Sequence, residues 1–355
     1  MKILVTGGAG FIGSTLCIKL KEKYPEYTIT AFDNLKRRGS EINLTDFKNC
    51  GVEFVHGDIR NAEDLSAVGS FDVLVEASAE PSVLAGLNSD PSYVINNNLY
   101  GSINCFNLCL KYKAKLIFLS TSRVYPIDEI EQANFIEEET RFSFSEKQME
   151  RGISSKGISE ELDLFGPRSF YGTTKLSSEL FIQEYAAFYG LSAAITRFGV
   201  IAGPRQMGKT DQGVVTLWMA KHFWKQSLQY IGYGGFGKQV RDILHVDDLV
   251  DLIDLQIHQI EKFNSKIFNA GGGTQNSVSL LEMTKICEEI TGNKINIGSD
   301  KNNRPADLRM YITDNSKIES EIGWKPLKSI HDIFSDTFIW MKKNEDLLKN
   351  ILNGK

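Results

Sequence analysis

Tyr171 and Lys175 stand four residues apart in YGTTK, a spacing that puts both side chains on one face of a helix. A phenol with an ordinary pKa of about 10 is a poor base at neutral pH, and a nearby ammonium favours its ionised form. Such a pair alone describes many solvated helix faces. Upstream, the apolar run KLIFLS leads into STSRVYP, where the Thr121 hydroxyl could bond the substrate hydroxyl that Tyr171 would deprotonate. At residues 6–13, TGGAGFIG sets Gly7, Gly10 and Gly13 as GxxGxxG around Phe11 and Ile12. That spacing lets the backbone turn tightly and approach a pyrophosphate at a helix N-terminus. Asp33 closes the next apolar run, about 20 residues on, and Asn34 follows it. Its carboxylate suits the adenosine ribose hydroxyls and repels a 2′-phosphate, which favours NAD over NADP; Lys36, Arg37 and Arg38 argue the other way. Asp58 and Ile59 in HGDI could meet the adenine. Ala77, Ser78 and Ala79, small residues after a fourth apolar run, would admit a cofactor closely. The chemistry open to this set is proton and hydride transfer.

Such residues need a scaffold that gathers them. KILVT, TITAFD, EFVHGD, DVLVEAS and KLIFLS are short, apolar, β-rich runs. Helical patterns such as FIGSTLCIKLKEKY and YVINNNLYGSINCFNLCLKY lie between several of them. The alternation predicts a parallel sheet with helices on both faces, and ligands at the carboxyl edge of its strands. SAAITRF (192–198) follows the helix that carries Lys175 and adds a sixth strand. Beyond residue 200 the pattern is less regular, with glycine-containing loops and amphipathic helices around 279–291 and 329–342. This predicts a dinucleotide-binding domain over 1–200, with an insert at 127–169 and residues 236–262 returning to it. A smaller substrate-binding domain over 201–345 and a polar, helix-like, solvated tail over 346–355 complete the division. The insert is long, acidic and polar, which suits a lid, a binding loop or a disordered segment.

Composition narrows the classes. The chain has 355 residues, 42% hydrophobic and 24% charged, enough for one large core or two joined ones. A net charge of −5 argues against broad nucleic-acid binding and against a basic membrane-surface role. The five cysteines, Cys17, Cys50, Cys105, Cys109 and Cys287, form no CxxC pair. Neither a disulfide framework nor a metal site is expected, and a reducing cytoplasm fits. No stretch approaches the roughly 18 apolar residues of a membrane span, and MKILVTGG lacks a secretory apolar core.

Taken in order, TGGAGFIG, FDN, HGDI, Thr121 before VY, YGTTK, GPRQ, VRDILHVDD, FNAGGG and RPADLR carry a resemblance. The chain resembles the extended short-chain dehydrogenase/reductase family, specifically its nucleotide-sugar epimerases and dehydratases, from Met1 to residue 340 or so. The resemblance implies a Rossmann-type, doubly wound α/β fold with a smaller α/β substrate-binding domain. It implies tightly bound NAD and a catalytic triad of Thr121, Tyr171 and Lys175, with Lys175 also holding the nicotinamide ribose. Asn98, the last residue of NNN before LYG, is implied to lie beside the cofactor and the catalytic loop. The implied substrate is a nucleotide-diphosphate sugar. Arg241 and Arg309 would clamp its diphosphate, since guanidinium groups match phosphate oxygens bidentately. Arg123, Arg205, Gln212 and Gly213 would face the rest of it. His245 reads as structural, and Asp247 and Asp248 as caps of the helix that follows. A homo-oligomer, dimer or tetramer, built on the helices around 98–112 and 171–188, is implied as well.

The neighbours of Thr121 bear on the reaction. Dehydratases of the family carry an acidic pair after the catalytic threonine; here Ser122 and Arg123 stand there, which disfavours 4,6-dehydration. Pro126 in VYP stiffens the next turn, where the family has VYG. Epimerisation remains. The inverted carbon carries no acidifying carbonyl, so the accessible route is transient oxidation to a ketone and re-reduction from the other face, which regenerates NAD. The segments GISEELDLFGPRSFYG, GPRQMGKTDQG and GFGKQVRDILHVDDL resemble the branch that inverts C2 of CDP-linked sugars. Val200 and Ala202 stand where 4-epimerases have an asparagine and a tyrosine. A 4-epimerase or other oxidoreductase on another nucleotide sugar would share the catalytic residues. A non-catalytic NAD-binding protein would show a degraded Tyr–Lys pair, which is intact here.

Overall fold

The computed structural model describes residues 1–208 and 212–352. Residues 209–211, inside the expected GPRQMGKTDQG loop, and 353–355 of the expected tail lie outside the described residues. The chain forms two compact units. The first comprises Met1–Val124, Ser169–Arg197 and Leu249–Phe268; the second comprises Tyr125–Arg168, Phe198–Asp248 and the chain from Asn269 onward.

The first unit is organised by a seven-stranded parallel sheet. Its strands are β1 (Lys2–Thr6), β2 (Thr28–Asp33), β3 (Glu53–His56), β4 (Val73–Glu76), β5 (Lys115–Thr121), β6 (Ala193–Phe198) and β7 (Ile267–Ala270). Their order is β7-β6-β5-β4-β1-β2-β3. The chain reverses direction of growth between β1 and β4, which run parallel from Ile3↔Val73 to Thr6↔Glu76. Beyond the carboxyl ends of two such strands a doubly wound sheet leaves its ligand crevice. The central strands are buried on both faces, which is why KILVT and VLVE read as continuous apolar runs rather than alternating ones. Helix α1 (Phe11–Lys23) follows β1. Helices α2 (Gly101–Tyr112) and α3 (Phe170–Tyr189) cover the sheet with Phe106, Cys105, Cys109 and Ile182 against Leu4, Leu74, Leu116, Phe118 and Ile195. Ser169 caps α3 by accepting from Gly172 N, and Gly190 ends it in the left-handed conformation.

The second unit centres on the strand Val240–His245, paired with Val200–Ala202, Ser277–Ser279 and Met310–Tyr311. Helices Leu280–Thr291 and Ile330–Lys343 match the two expected amphipathic helices, and each opens with a capping box, Ser279 with Glu282 and Ser329 with Asp332.

Three expected boundaries differ from the compact units. The 127–169 insert is neither structureless nor part of the first unit. It holds the helix Ile127–Glu131 and two short hairpins, and Ile158 N donates to Ile312 O at 2.8 Å while Phe142 N donates to Lys238 O at 3.0 Å. The segment that returns to the first unit is Leu249–Phe268 rather than 236–262, because Val240–His245 is committed to the second unit's sheet. The helix-like tail is a helix, Glu345–Leu352, but it is not solvated throughout, because Leu348 is completely buried. Among the described residues no helix is long and apolar enough to cross a membrane.

Candidate active site

The glycine loop joins β1 to α1. Gly7 has φ +65°, and a Cβ there would stand 2.8 Å from Ala77 O and 2.9 Å from Ser78 Cα. A Cβ on Gly13 would come within 2.2 Å of Gly7 O. Side chains at either position would fill the crevice between β1 and β4 or push α1 off the loop. Gly10 occupies the cap position of α1 in extended conformation; no side chain caps it and no acidic residue lies in the first turn. The Phe11 and Ile12 amides therefore open a helix with no acidic residue in its first turn, while the Asp33 carboxylate is held at Ala9 and Gly10 just before it. Ser78 Oγ is buried without a partner nearby in the chain. A first turn free of acidic residues, a cradle that a Cβ on Gly7 or Gly13 would fill and an orphaned Ser78 hydroxyl fit a dinucleotide pyrophosphate.

Asp33 organises the loop as well as facing its edge. Its Oδ2 accepts from Ala9 N at 3.1 Å and its Oδ1 from Leu35 N at 2.7 Å. Burial pushes its carboxyl above the usual range, opposed by these amides. Asn34 donates to Asp58 Oδ2 at 2.9 Å, so the structure brings these two together. Asp58 also takes Arg60 Nε and Nη2 at 2.9 and 2.7 Å, and the guanidinium holds its carboxyl well below the ordinary range. Ile59 is packed in the core under Gly101 rather than open at an edge. Of the basic run, Lys36 places its ammonium over the Tyr93 ring at 3.2 Å.

Thr121 ends β5, is 7% exposed, and its hydroxyl accepts from Arg123 N at 3.2 Å. Ser122–Val124 form a single 3-10 turn beyond it. Tyr171 lies half-buried on the first turn of α3; its carbonyl accepts from Thr174 Oγ1 at 2.9 Å. Lys175, one turn on, is 2% exposed and donates to Glu76 Oε2 at 3.1 Å. One further turn on, Glu179 accepts from Ser120 Oγ at 2.5 Å and from Arg197 Nη2 at 2.7 Å. Two successive turns of α3 are thus anchored to the carboxyl ends of β4, β5 and β6. Asn98 sits in a widened turn of π type, Asn96–Tyr100, and is fully buried. Its Oδ1 accepts from Glu80 N at 2.8 Å, and its Nδ2 donates to Glu80 O at 3.0 Å and to Thr174 Oγ1 at 3.3 Å. Asn98 therefore ties the loop after β4, with Ala77 and Ala79, to the Tyr171 helix.

In the second unit, Arg241 donates through Nη2 to Asp307 Oδ1 and to Leu308 O, both at 2.7 Å. Arg309 lies next to it, since Val240 N donates to Arg309 O at 3.0 Å. Its guanidinium stands 4.8 Å from the Phe135 ring centre, 5.5 Å from Phe142 and 5.7 Å from Tyr233. Arg205 takes a left-handed backbone (φ 74°) in the turn after Ala202. Gly213, φ +72°, is the cap of helix Val214–Phe223, with Gln212 half-buried before it. His245 is buried, accepts from Asp247 N at 3.0 Å, and is held below its usual pKa by burial. Asp248, in the first turn of its helix, also accepts from Leu327 N and Lys328 N at 3.0 and 3.1 Å. Among the described residues no group of three or more His, Cys, Asp or Glu could hold a metal ion.

Sequence reasoning missed Glu76 and the Glu179–Arg197 pair. The signal was present: an acid in the wholly apolar strand VLVE, and another in a helix facing the core, must each find a cation.

Comparison with known proteins agrees with this architecture. A model of the NAD dependent epimerase/dehydratase family matches residues 3–271. CDP-paratose 2-epimerase of Salmonella typhi is 31% identical over 96% of this chain and 99% of its own length. The crystal structure of UDP-glucose 4-epimerase with UDP-glucose from Thermotoga maritima superposes with a TM-score of 0.79 at 28% identity, covering 97% of this chain and 100% of that one. UDP-glucuronic acid 4-epimerase from Bacillus cereus, in complex with UDP-glucuronic acid and NAD, gives 0.78 at 25% identity, covering 97% and 99%.

Proposed function

The chain belongs to the NAD dependent epimerase/dehydratase family, and from that premise we propose that it inverts C2 of a CDP-linked sugar, converting CDP-paratose to CDP-tyvelose or acting on a close analogue. It is an NAD-dependent enzyme. The observation that carries the finer reading is the likeness to a 2-epimerase along nearly the whole of both chains. Ser122 and Arg123, with no carboxylate between Thr121 and Val124, support epimerisation over dehydration.

In this reading Gly7, Gly10, Phe11, Ile12 and Gly13 hold the pyrophosphate, Asp33 and Asn34 the adenosine ribose, and Asp58 the adenine side, with Ile59 packed in the core behind it. Ala77, Ser78 and Ala79 line the approach to the nicotinamide, and Asn98 holds that loop in place. Bound NAD supplies the hydride acceptor and then the hydride donor. Tyr171 takes the proton of the sugar hydroxyl and later returns it; Lys175 favours the ionised phenol and donates to the nicotinamide ribose; Thr121 orients the hydroxyl. Arg241 and Arg309 bind diphosphate, with Arg123, Arg205, Gln212 and Gly213 toward the sugar nucleotide.

The test is proton NMR of the purified protein with CDP-paratose and no added cofactor. Appearance of CDP-tyvelose is expected. A protein that carries NAD and leaves CDP-paratose unchanged would overturn the substrate. It would favour the second reading, a 4-epimerase or related oxidoreductase on another nucleotide sugar, to which the two structural neighbours point.

A further inference from the structure

Glu76 is the last residue of β4, completely buried, in a strand otherwise made of valine and leucine. Its Oε2 accepts from Lys175 Nζ at 3.1 Å; burial pushes its carboxyl above the usual range, and the Lys175 ammonium, with Ser78 and Ser102, opposes that. Lys175 is 2% exposed, and its ammonium also stands 4.3 Å from the centre of the Phe118 ring. A lysine needed only as a surface cation beside Tyr171 would not require such a carboxylate. A carboxylate needed only for stability is a poor choice there, since apolar replacement of a buried pair is often neutral or better.

We propose that Glu76 is the positioning residue of the catalytic lysine: a buried carboxylate that holds the Lys175 ammonium and offsets the charge it presents to Tyr171. This rests on the reading of Tyr171 and Lys175 as the proton-transfer pair. An ammonium has three donors. Glu76 takes one and leaves two for a ligand, so the lysine is oriented without being used up. The offset also sets how readily Tyr171 ionises, because the positive charge one turn away is partly cancelled. The other groups facing this pair change little with pH. From α2 comes Cys105, whose thiol burial keeps protonated; from β1 the Thr6 hydroxyl; from α3 and β6 the Glu179–Arg197 ion pair, which Ser120 joins through its hydroxyl.

The experiment is a tyrosinate absorbance titration of wild-type protein and of Glu76→Gln, each with Tyr171→Phe as the subtracted background, so that Tyr171 alone is read. It needs neither substrate nor turnover, so it can fail while the epimerase reading stands, and the reverse. We expect the Tyr171 midpoint in Glu76→Gln to fall by about one pH unit or more. The acid limb of the kcat/KM profile should move with it. An unmoved midpoint, with only a lower Tm, would make Glu76 structural and overturn the proposal. Should Glu76→Gln not fold, the wild-type protein labelled with carboxyl-13C glutamate answers through infrared absorption. Only ionised glutamates at neutral pH agree with the proposal; a neutral buried glutamic acid that is lost in Glu76→Asp overturns it.

Discussion

Tyr171 owes its place to its neighbours in sequence and in space. Ser169 starts the helix two residues before it, Thr174 returns a hydrogen bond to its carbonyl, and Lys175 lies one turn on with its ammonium already oriented. Removing the phenolic oxygen should leave all of that intact. Tyr171→Phe is therefore expected to keep bound NAD and lose at least about 10²-fold in turnover. Nucleotide released on denaturation and the rate with the natural substrate check the two halves separately; near wild-type turnover would remove Tyr171 from the mechanism. At the same scale, Asp58 makes a pH prediction. Arg60 holds its folded carboxyl below the unfolded value of about 3.9, so its contribution is present above that value and lost as pH falls below it. The pair is partly exposed, so Arg60→Gln should cost on the order of 0.5–1 kcal/mol at neutral pH and nothing in strong acid. Urea unfolding at both conditions tests this, and an equal loss at each would mean that the charge is not the cause.

At the scale of elements, α3 is fixed by two buried ion pairs on successive turns, Lys175 with Glu76 and Glu179 with Arg197. Losing one partner of a buried pair costs far more than losing both, because it leaves a buried charge unpaired. Arg197→Met alone should destabilise by about 3–5 kcal/mol, and Glu179→Gln combined with it should recover most of that. Denaturant midpoints of the two variants decide it; additive losses would show that the residues stabilise independently. These pairs also mark where sequence reading stopped. The glycine loop, the five runs to Thr121 and the Tyr–Lys spacing were legible because each is set by residues a few positions apart. Glu76 and Lys175 are 99 residues apart, and nothing local tells an acid in VLVE which cation it will meet. The 127–169 insert was opaque for the same reason. Its short strands carry little periodicity, and what orders them is pairing with residues such as Lys238 and Ile312, far along the chain.

At the scale of the whole molecule, the open question is what covers α3. Leu180, Phe181, Phe188 and Tyr189 are all exposed, as is Tyr100 just before α2. Phe181 and Phe188 are seven residues apart, two turns along one face, and Tyr185 between them reaches Asn107 of α2 at 2.8 Å. Aromatic residues gathered on adjoining helices are unusual for a surface left to water. A closed homodimer meets its partner through the same patch on both copies, and a two-helix face suits that symmetry. The protein is therefore expected to be a dimer through α2 and α3, with a mass by light scattering of twice the 39.8 kDa chain. Phe181→Glu with Phe188→Glu would place four charges in that interface and should yield a monomer with an unchanged circular dichroism spectrum. If the double variant stays dimeric, the copies meet elsewhere. If the wild type is already monomeric, the aromatic face must serve another partner.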